Sequence, residues 1–107
     1  MTDNIQKLSK VLEEIIQILE ASGEKHWANW MLEAKDSLKY SNDYGIEHIL
    51  AAYGGMGSFT DLVLYQKVEN GRMKWNVFNW IRNNRLSKLR TRAWKLANAI
   101  RREQATT

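Results

Sequence analysis

The sequence predicts a mainly α fold: a small domain of about four helices with one short β-hairpin after a glycine loop. Three observations carry that prediction. Apolar residues recur at helical spacing through the first fifty positions and again through the last twenty-five. The chain contains no proline, so its helices can be long and uninterrupted. Gly54, Gly55 and Gly57 cluster in one short stretch, after which residues alternate like a strand up to Asn70-Gly71. Asn-Gly is a strong hairpin signal, because both central positions of a type I′ turn need positive φ. A length of 107 residues points to one domain with a modest core. A hydrophobic fraction of 44% with five tryptophans excludes a disordered chain.

The first helix opens at Asp3, where Gln6 three residues on completes a capping box. Ile5, Leu8, Leu12, Ile15, Ile16 and Leu19 form its stripe, widened by Val11 and Ile18. Gly23 stops it, because glycine takes the left-handed conformation without a Cβ penalty. A second helix spans about residues 24–39, with Trp27, Trp30, Met31, Ala34 and Leu38 on one face. So short a connection makes the pair an antiparallel hairpin. Trp27 and Trp30 match the core period, which favours burial over a ligand platform. Ser41, Asn42 and Asp43 are cap and turn residues. A third helix follows over about residues 44–53, with Ile46, Ile49, Leu50 and Tyr53 inward.

Residues 54–58 form a tight loop whose backbone N–H groups suit an anion-binding nest. The G-x-x-x-x-G-K-[ST] spacing of a phosphate loop is missing, which argues against a nucleotide site. In the expected hairpin register Glu69 faces Arg72, Val68 faces Met73, Gln66 faces Trp75 and Leu64 faces Val77. The rival reading is a helix through residues 61–67 capped by Ser58, with Asp61 closing a capping box. The last helix keeps Leu86, Leu89, Ala93, Leu96, Ala97 and Ile100 in phase and ends near Glu103, with residues 104–107 fraying. Asn76 is an acceptable cap for it, but Val77 and Ile81 point away from the later stripe. Either the helix breaks near Asn83-Asn84 or its first turns face a different neighbour, the hairpin. An exposed Trp80 or an exposed patch over residues 77–81 is a hint of a homodimer.

Charge is divided along the chain. Residues 1–71 hold six Lys/Arg and eleven Asp/Glu (−5), whereas residues 72–107 hold ten Lys/Arg and the single acid Glu103 (+9), giving +4 in all. The plain reading is mutual attraction of the two parts in the fold. The sharper readings are a basic surface for nucleic acid or an acidic surface for a basic protein. The basic residues of the last helix (Arg82, Arg85, Lys88, Arg90, Arg92, Lys95, Arg101, Arg102) wrap most of its non-core circumference and do not form one narrow stripe. No helix-turn-helix pattern accompanies them.

Signals for catalysis are weak. His26 and His48 have no second ligand at i+4, so no metal site is expected. Ser58, His48 and Asp61 supply the residue types of a triad without a nucleophile elbow. The stronger reading makes Ser58 a loop or cap hydroxyl and has Asp61 accept backbone N–H bonds from the glycine loop. The chain contains no cysteine, so disulfides and thiolate chemistry are excluded, which fits a reducing cytoplasm. No apolar run approaches the ~18–20 residues that cross a bilayer, and the amphipathic start does not resemble a signal peptide. The expectation is a cytoplasmic, non-enzymatic protein without cofactor.

The stretch G-G-M-G-S-F-T-D-L-V-L over residues 54–64 resembles the signature of small bacterial proteins of uncharacterised function with a G-G-M-G-S-F-[NT]-D-L-V-L core. The resemblance takes in Ala51-Ala52-Tyr53 and extends loosely to His26-Trp27-Ala28-Asn29-Trp30 and to a closing helix. It implies importance for Gly54, Gly55, Met56, Gly57, Ser58, Phe59 and Asp61, as a structural or contact loop. Thr60 stands where the family usually has asparagine and lacks its amide. By class, small bacterial proteins of this size include immunity proteins that neutralise a toxin domain. Many such toxins are basic, and the acidic residues of the first two helices, Glu13, Glu14, Glu20, Glu24, Glu33 and Asp36, suit electrostatic association with one. The leading expectation is therefore a protein-binding module of immunity type. The alternative is a nucleic-acid-binding accessory protein using the basic C-terminal helix.

Overall fold

The computed structural model describes residues 2–40, 42–53, 59–62, 64, 68–69, 72–73 and 77–105. It is mainly helical, with four helices: α1 (Thr2–Ala21), α2 (Lys25–Tyr40), α3 (Asn42–Ala51) and α4 (Val77–Ala105). A 3-10 turn spans Phe59–Asp61, and two short strands, β1 (Val68–Glu69) and β2 (Arg72–Met73), precede α4.

The α1–α2 corner follows from backbone chemistry at one glycine. Gly23 has φ +76°. In that conformation the Gly23 N–H donates to Glu20 O at 3.1 Å and the Glu24 N–H to Leu19 O at 2.9 Å. Two of the carbonyls that a helix end leaves orphaned are thereby satisfied, in a Schellman arrangement. Glu24 serves both helices, since its own carbonyl accepts the Ala28 N–H at 3.0 Å and starts α2. Two expected boundaries shift as a result: Glu24 caps α2 without lying in it, and α2 runs on to Tyr40. Asp3 is likewise already inside α1, so it is a first-turn carboxylate facing the positive end of the helix dipole and not a capping-box residue. α3 starts at Asn42 and stops at Ala51, two residues early at each end.

α1 packs on α2 and α4, and α3 packs on the same two helices, which closes a ring of four around a shared core. α1 and α4 run antiparallel: Asn4 bonds Glu103 at one end and Arg85 pairs with Glu14 further along. The core is the stripe expected of α1 (Leu8, Leu12, Ile15, Ile16, Leu19), with Met31, Ala34 and Leu38 from α2, Ile46 and Ile49 from α3, and Leu86, Ala93, Ala97 and Ile100 from α4. Gly45 lets α3 approach α2 closely, since a Cβ there would lie 2.8 Å from Leu38 Cδ2 and 3.0 Å from the Leu38 backbone nitrogen.

The C-terminal part differs from the sequence expectation. α4 is one unbroken helix through Asn83-Asn84 and continues to Ala105, past the point where fraying was expected. Its length, about 43 Å at 1.5 Å per residue, exceeds that of its core stripe. Before Leu86 its turns carry Trp80 and Ile81 half-exposed. The β-hairpin packed on helices is not seen among the described residues. What is described is an antiparallel ladder of two pairs, Val68 with Met73 and Glu69 with Arg72. Its expected continuation to Leu64 and Val77 does not form, because Val77 is the first residue of α4. Leu64 instead finds its partner in a side chain: its N–H donates to Asn83 Oδ1 at 2.6 Å and its carbonyl accepts from Asn83 Nδ2 at 2.9 Å. A carboxamide offers the same donor and acceptor as a neighbouring strand, so one α4 residue replaces a strand partner. The rival helix over residues 61–67 is not seen among the described residues, where Leu62 and Leu64 are non-helical.

Candidate functional site

After the glycine stretch, Phe59, Leu62 and Leu64 are each bonded to another part of the fold. The Phe59 N–H donates to Ala52 O at 3.0 Å. The Phe59 ring is fully buried. It lies 5.3 Å from Trp27 and 5.9 Å, edge-on, from Tyr53, with the Arg90 guanidinium 5.7 Å from its centroid. Arg90 Nη1 donates to Phe59 O and to Leu62 O, both at 2.8 Å. Tyr53 Oη donates to Arg90 O at 2.8 Å. Burial pushes the Tyr53 phenol well above its ordinary pKa, against the opposing charge of Arg90. Asn83 and Arg90 are seven residues apart, two turns of α4, and so hold Leu64 and Phe59 from one face of that helix.

From Phe59 the ring contacts continue across α2 to α3. Trp27 lies 5.6 Å from Trp30, and Trp30 stacks on His48 at 4.4 Å and 15°. Trp30 Nε1 also donates to His48 O at 2.9 Å. The two tryptophans expected in the core are half-buried and packed against it. His48 Nε2 lies 3.7 Å from Glu33 Oε2.

The expected site residues separate. Phe59 serves the core and presents no contact surface. Gly54, Gly55, Met56, Gly57, Ser58 and the Asp61 side chain lie outside the described residues, and with them the proposed loop clamp by Asp61 and the triad of Ser58, His48 and Asp61. Glu13 is bound to Lys35, whose ammonium holds the carboxyl below its ordinary range. Glu14 is 3.6 Å from Arg85. Glu20 is exposed on α1, and Glu24 is half-buried in the α1–α2 corner. Acidic and basic parts of the chain do meet, through Glu14–Arg85 and, at 3.5 Å, Glu47–Arg101. Among the described residues, no group of three His, Cys, Asp or Glu is placed to hold a metal ion, and no helix is long and apolar enough to cross a membrane.

Two of the grooves among the described residues bear on binding. One, of about 390 Å³, lies on the α2–α3 face between Leu32, Glu33, Asp36, Tyr40 and Tyr44. Its apolar members are turned outward: Leu32 is 43%, Tyr44 55% and Tyr40 90% exposed. The other, of about 470 Å³, lies between the end of α3 and α4, lined by Tyr53, Thr60, Ser87, Arg90, Thr91 and Trp94. Sequence reading missed Arg90 and Asn83 as clamps and the outward face of α2. The signals were present: Arg90 lies at i+4 from Leu86 and i−3 from Ala93, in phase with the core, and Leu32 and Tyr40 are large apolar residues off the α2 stripe.

Fold and site together define a small helical domain in which α4 holds Phe59, Leu62 and Leu64, with an acidic apolar face at one corner and a basic helix on another side. The chain belongs to the family described as a domain of unknown function (DUF6966), whose model matches residues 20–74, just over half of the chain. That span contains α2, α3 and the glycine stretch. No curated protein and no solved structure matches the chain.

Proposed function

We propose that this protein is a non-enzymatic protein-binding module that docks a basic partner on its α2–α3 face, and that the partner is a bacterial toxin domain neutralised in the cytoplasm. One observation carries the reading: Leu32, Tyr40 and Tyr44 stand exposed together around a groove edged by the carboxylates of Glu33 and Asp36. Clustered exposed apolar side chains with a polar rim are the usual mark of a protein contact, and tyrosine is enriched among anchors. The acids on the rim favour a basic partner and speed its capture. Glu13 and Glu14 are already engaged with Lys35 and Arg85, so the acidic surface moves from the α1 residues toward Glu33 and Asp36 on α2.

The test is calorimetric titration of this protein with the product of a basic toxin domain encoded beside its gene. The reading expects a tight complex that weakens at least tenfold for Leu32→Arg and for the double change Glu33→Lys with Asp36→Lys. Both substitutions are at exposed positions and leave the helical circular dichroism intact. A neighbourhood without a toxin domain removes the immunity assignment. A complex indifferent to both variants removes the α2–α3 face.

A further inference from the structure

We propose that the second groove, between the end of α3 and α4, is a binding site for single-stranded nucleic acid, with one base stacked on Trp94 and the backbone running along α4. The argument rests on the arrangement of residues around Trp94, which is 47% exposed in a cavity of about 470 Å³. Pockets of a few hundred Å³ hold small planar ligands, so a nucleobase fits the space. Hydroxyl groups of Thr60, Ser87 and Thr91 line the same cavity. Thr91 and Ser87 are linked, the Thr91 hydroxyl donating to Ser87 O at 3.1 Å.

Cations flank this cavity in register. Lys88, Lys95 and Arg102 are all exposed and recur every seven residues. They form a row along α4 with about 10.5 Å between successive members, about a quarter of a turn around the helix from Trp94. Among the described residues, no acid is paired with this row. The one acid of α4, Glu103, faces away and accepts from Asn4 of α1 at 2.9 Å. On the α3 wall, Glu47 is paired with Arg101 at 3.5 Å. A flat ring near a run of exposed cations is what single strands select: stacking is open to any base, and the cations follow the phosphates. A duplex keeps its bases stacked on each other and has none to give to Trp94.

The site shares no lining residue with the α2–α3 groove, so the two proposals stand or fall separately. The experiment is fluorescence anisotropy of a labelled short oligothymidylate with the intact protein. Binding is expected at low salt and should fall steeply between about 50 and 200 mM. Trp94→Ala should weaken it on the order of ten- to a hundredfold, while Trp94→Phe, which keeps a ring, retains most of it. Lys95→Gln should weaken binding and flatten its salt dependence. Circular dichroism of each variant checks that α4 is unchanged. No binding at low salt overturns the proposal, as does equal binding by Trp94→Ala, a duplex bound as tightly as the strand, or thymidine monophosphate bound as tightly as the oligomer.

Discussion

Replacing Arg90 by methionine tests the clamp on the loop exit most directly. The substitution keeps length and apolar stem and removes the guanidinium. Arg90 Nη1 makes two bonds of 2.8 Å, to Phe59 O and Leu62 O, and the charge sits over the Phe59 ring. A hydrogen bond from a charged group contributes about 1.5–3 kcal/mol net. Arg90 is half-buried, so water recovers part of what the two carbonyls lose. The expected cost is therefore about 2–4 kcal/mol, near the lower end of the two-bond sum. The Tyr53 bond to the Arg90 carbonyl is to backbone and survives the change. For a chain of this size each kcal/mol shifts the midpoint by about 4–8 °C, so a fall of roughly 8–32 °C is expected. Urea unfolding followed by circular dichroism measures it, with Arg92→Met, an exposed neighbour, as control within about 0.5 kcal/mol. Arg90→Lys should fall between the two, because an ammonium is a point donor and does not reproduce the guanidinium fork. If Arg90→Met unfolds within 0.5 kcal/mol of the unaltered protein, the claim that α4 holds the loop exit through Arg90 is refuted.

Three further outcomes follow from the same geometry. Asn83→Leu strands the N–H and the carbonyl of Leu64 and should cost about 1–3 kcal/mol by urea unfolding; Asn83→Ala with no measurable loss would count against the strand-substitute role. Gly45→Ala gains up to about 1 kcal/mol in helix propensity, yet its Cβ would sit 3.0 Å from the Leu38 backbone nitrogen. Net destabilisation of about 1–2 kcal/mol is expected, and a rise in melting temperature would mean that α2 and α3 can move apart freely. Glu13 has a carboxyl pKa held below its ordinary 4.5 by Lys35. A depressed folded-state value contributes stability above the unfolded-state value that is lost as pH falls through the folded one. Glu13→Gln should therefore be less stable than the unaltered protein at pH 7, and the two melting curves should converge as pH falls from 4.5 through the lowered folded-state value; a gap that persists in strong acid points to a contact other than charge.

The functional reading rests on how charge is distributed in space. Glu14–Arg85 and Glu47–Arg101 draw α1 and α3 onto α4, as the opposite signs of the two parts of the chain suggest. What is left over is local: acids beside exposed tyrosines on α2 and α3, and cations beside an exposed tryptophan on α4. Each remainder suits a partner of the opposite sign, which is why two proposals arise from one small fold.

Sequence by itself determined the helices and their inward faces. The stripes of α1, α2 and α3 and the phase of α4 from Leu86 to Ile100 are periodic, and periodicity is a property of neighbours along the chain. The stop at Gly23 was equally legible, since a positive φ singles out glycine at the residue that must take it. Membership of an uncharacterised family was expected from the sequence as well, and the family match over residues 20–74 agrees with it. Tertiary structure alone decided what residues 59–64 bind to. Their partners, Asn83 and Arg90, lie 19 to 31 positions away and are of types that also suit a solvated helix face. A carboxamide standing in for a strand, or an arginine turned inward to two carbonyls, leaves no periodic trace. It exists only once α4 has been packed against the loop exit, and it explains why alternating residues near Leu64 read as a strand whose neighbour proved to be a helix.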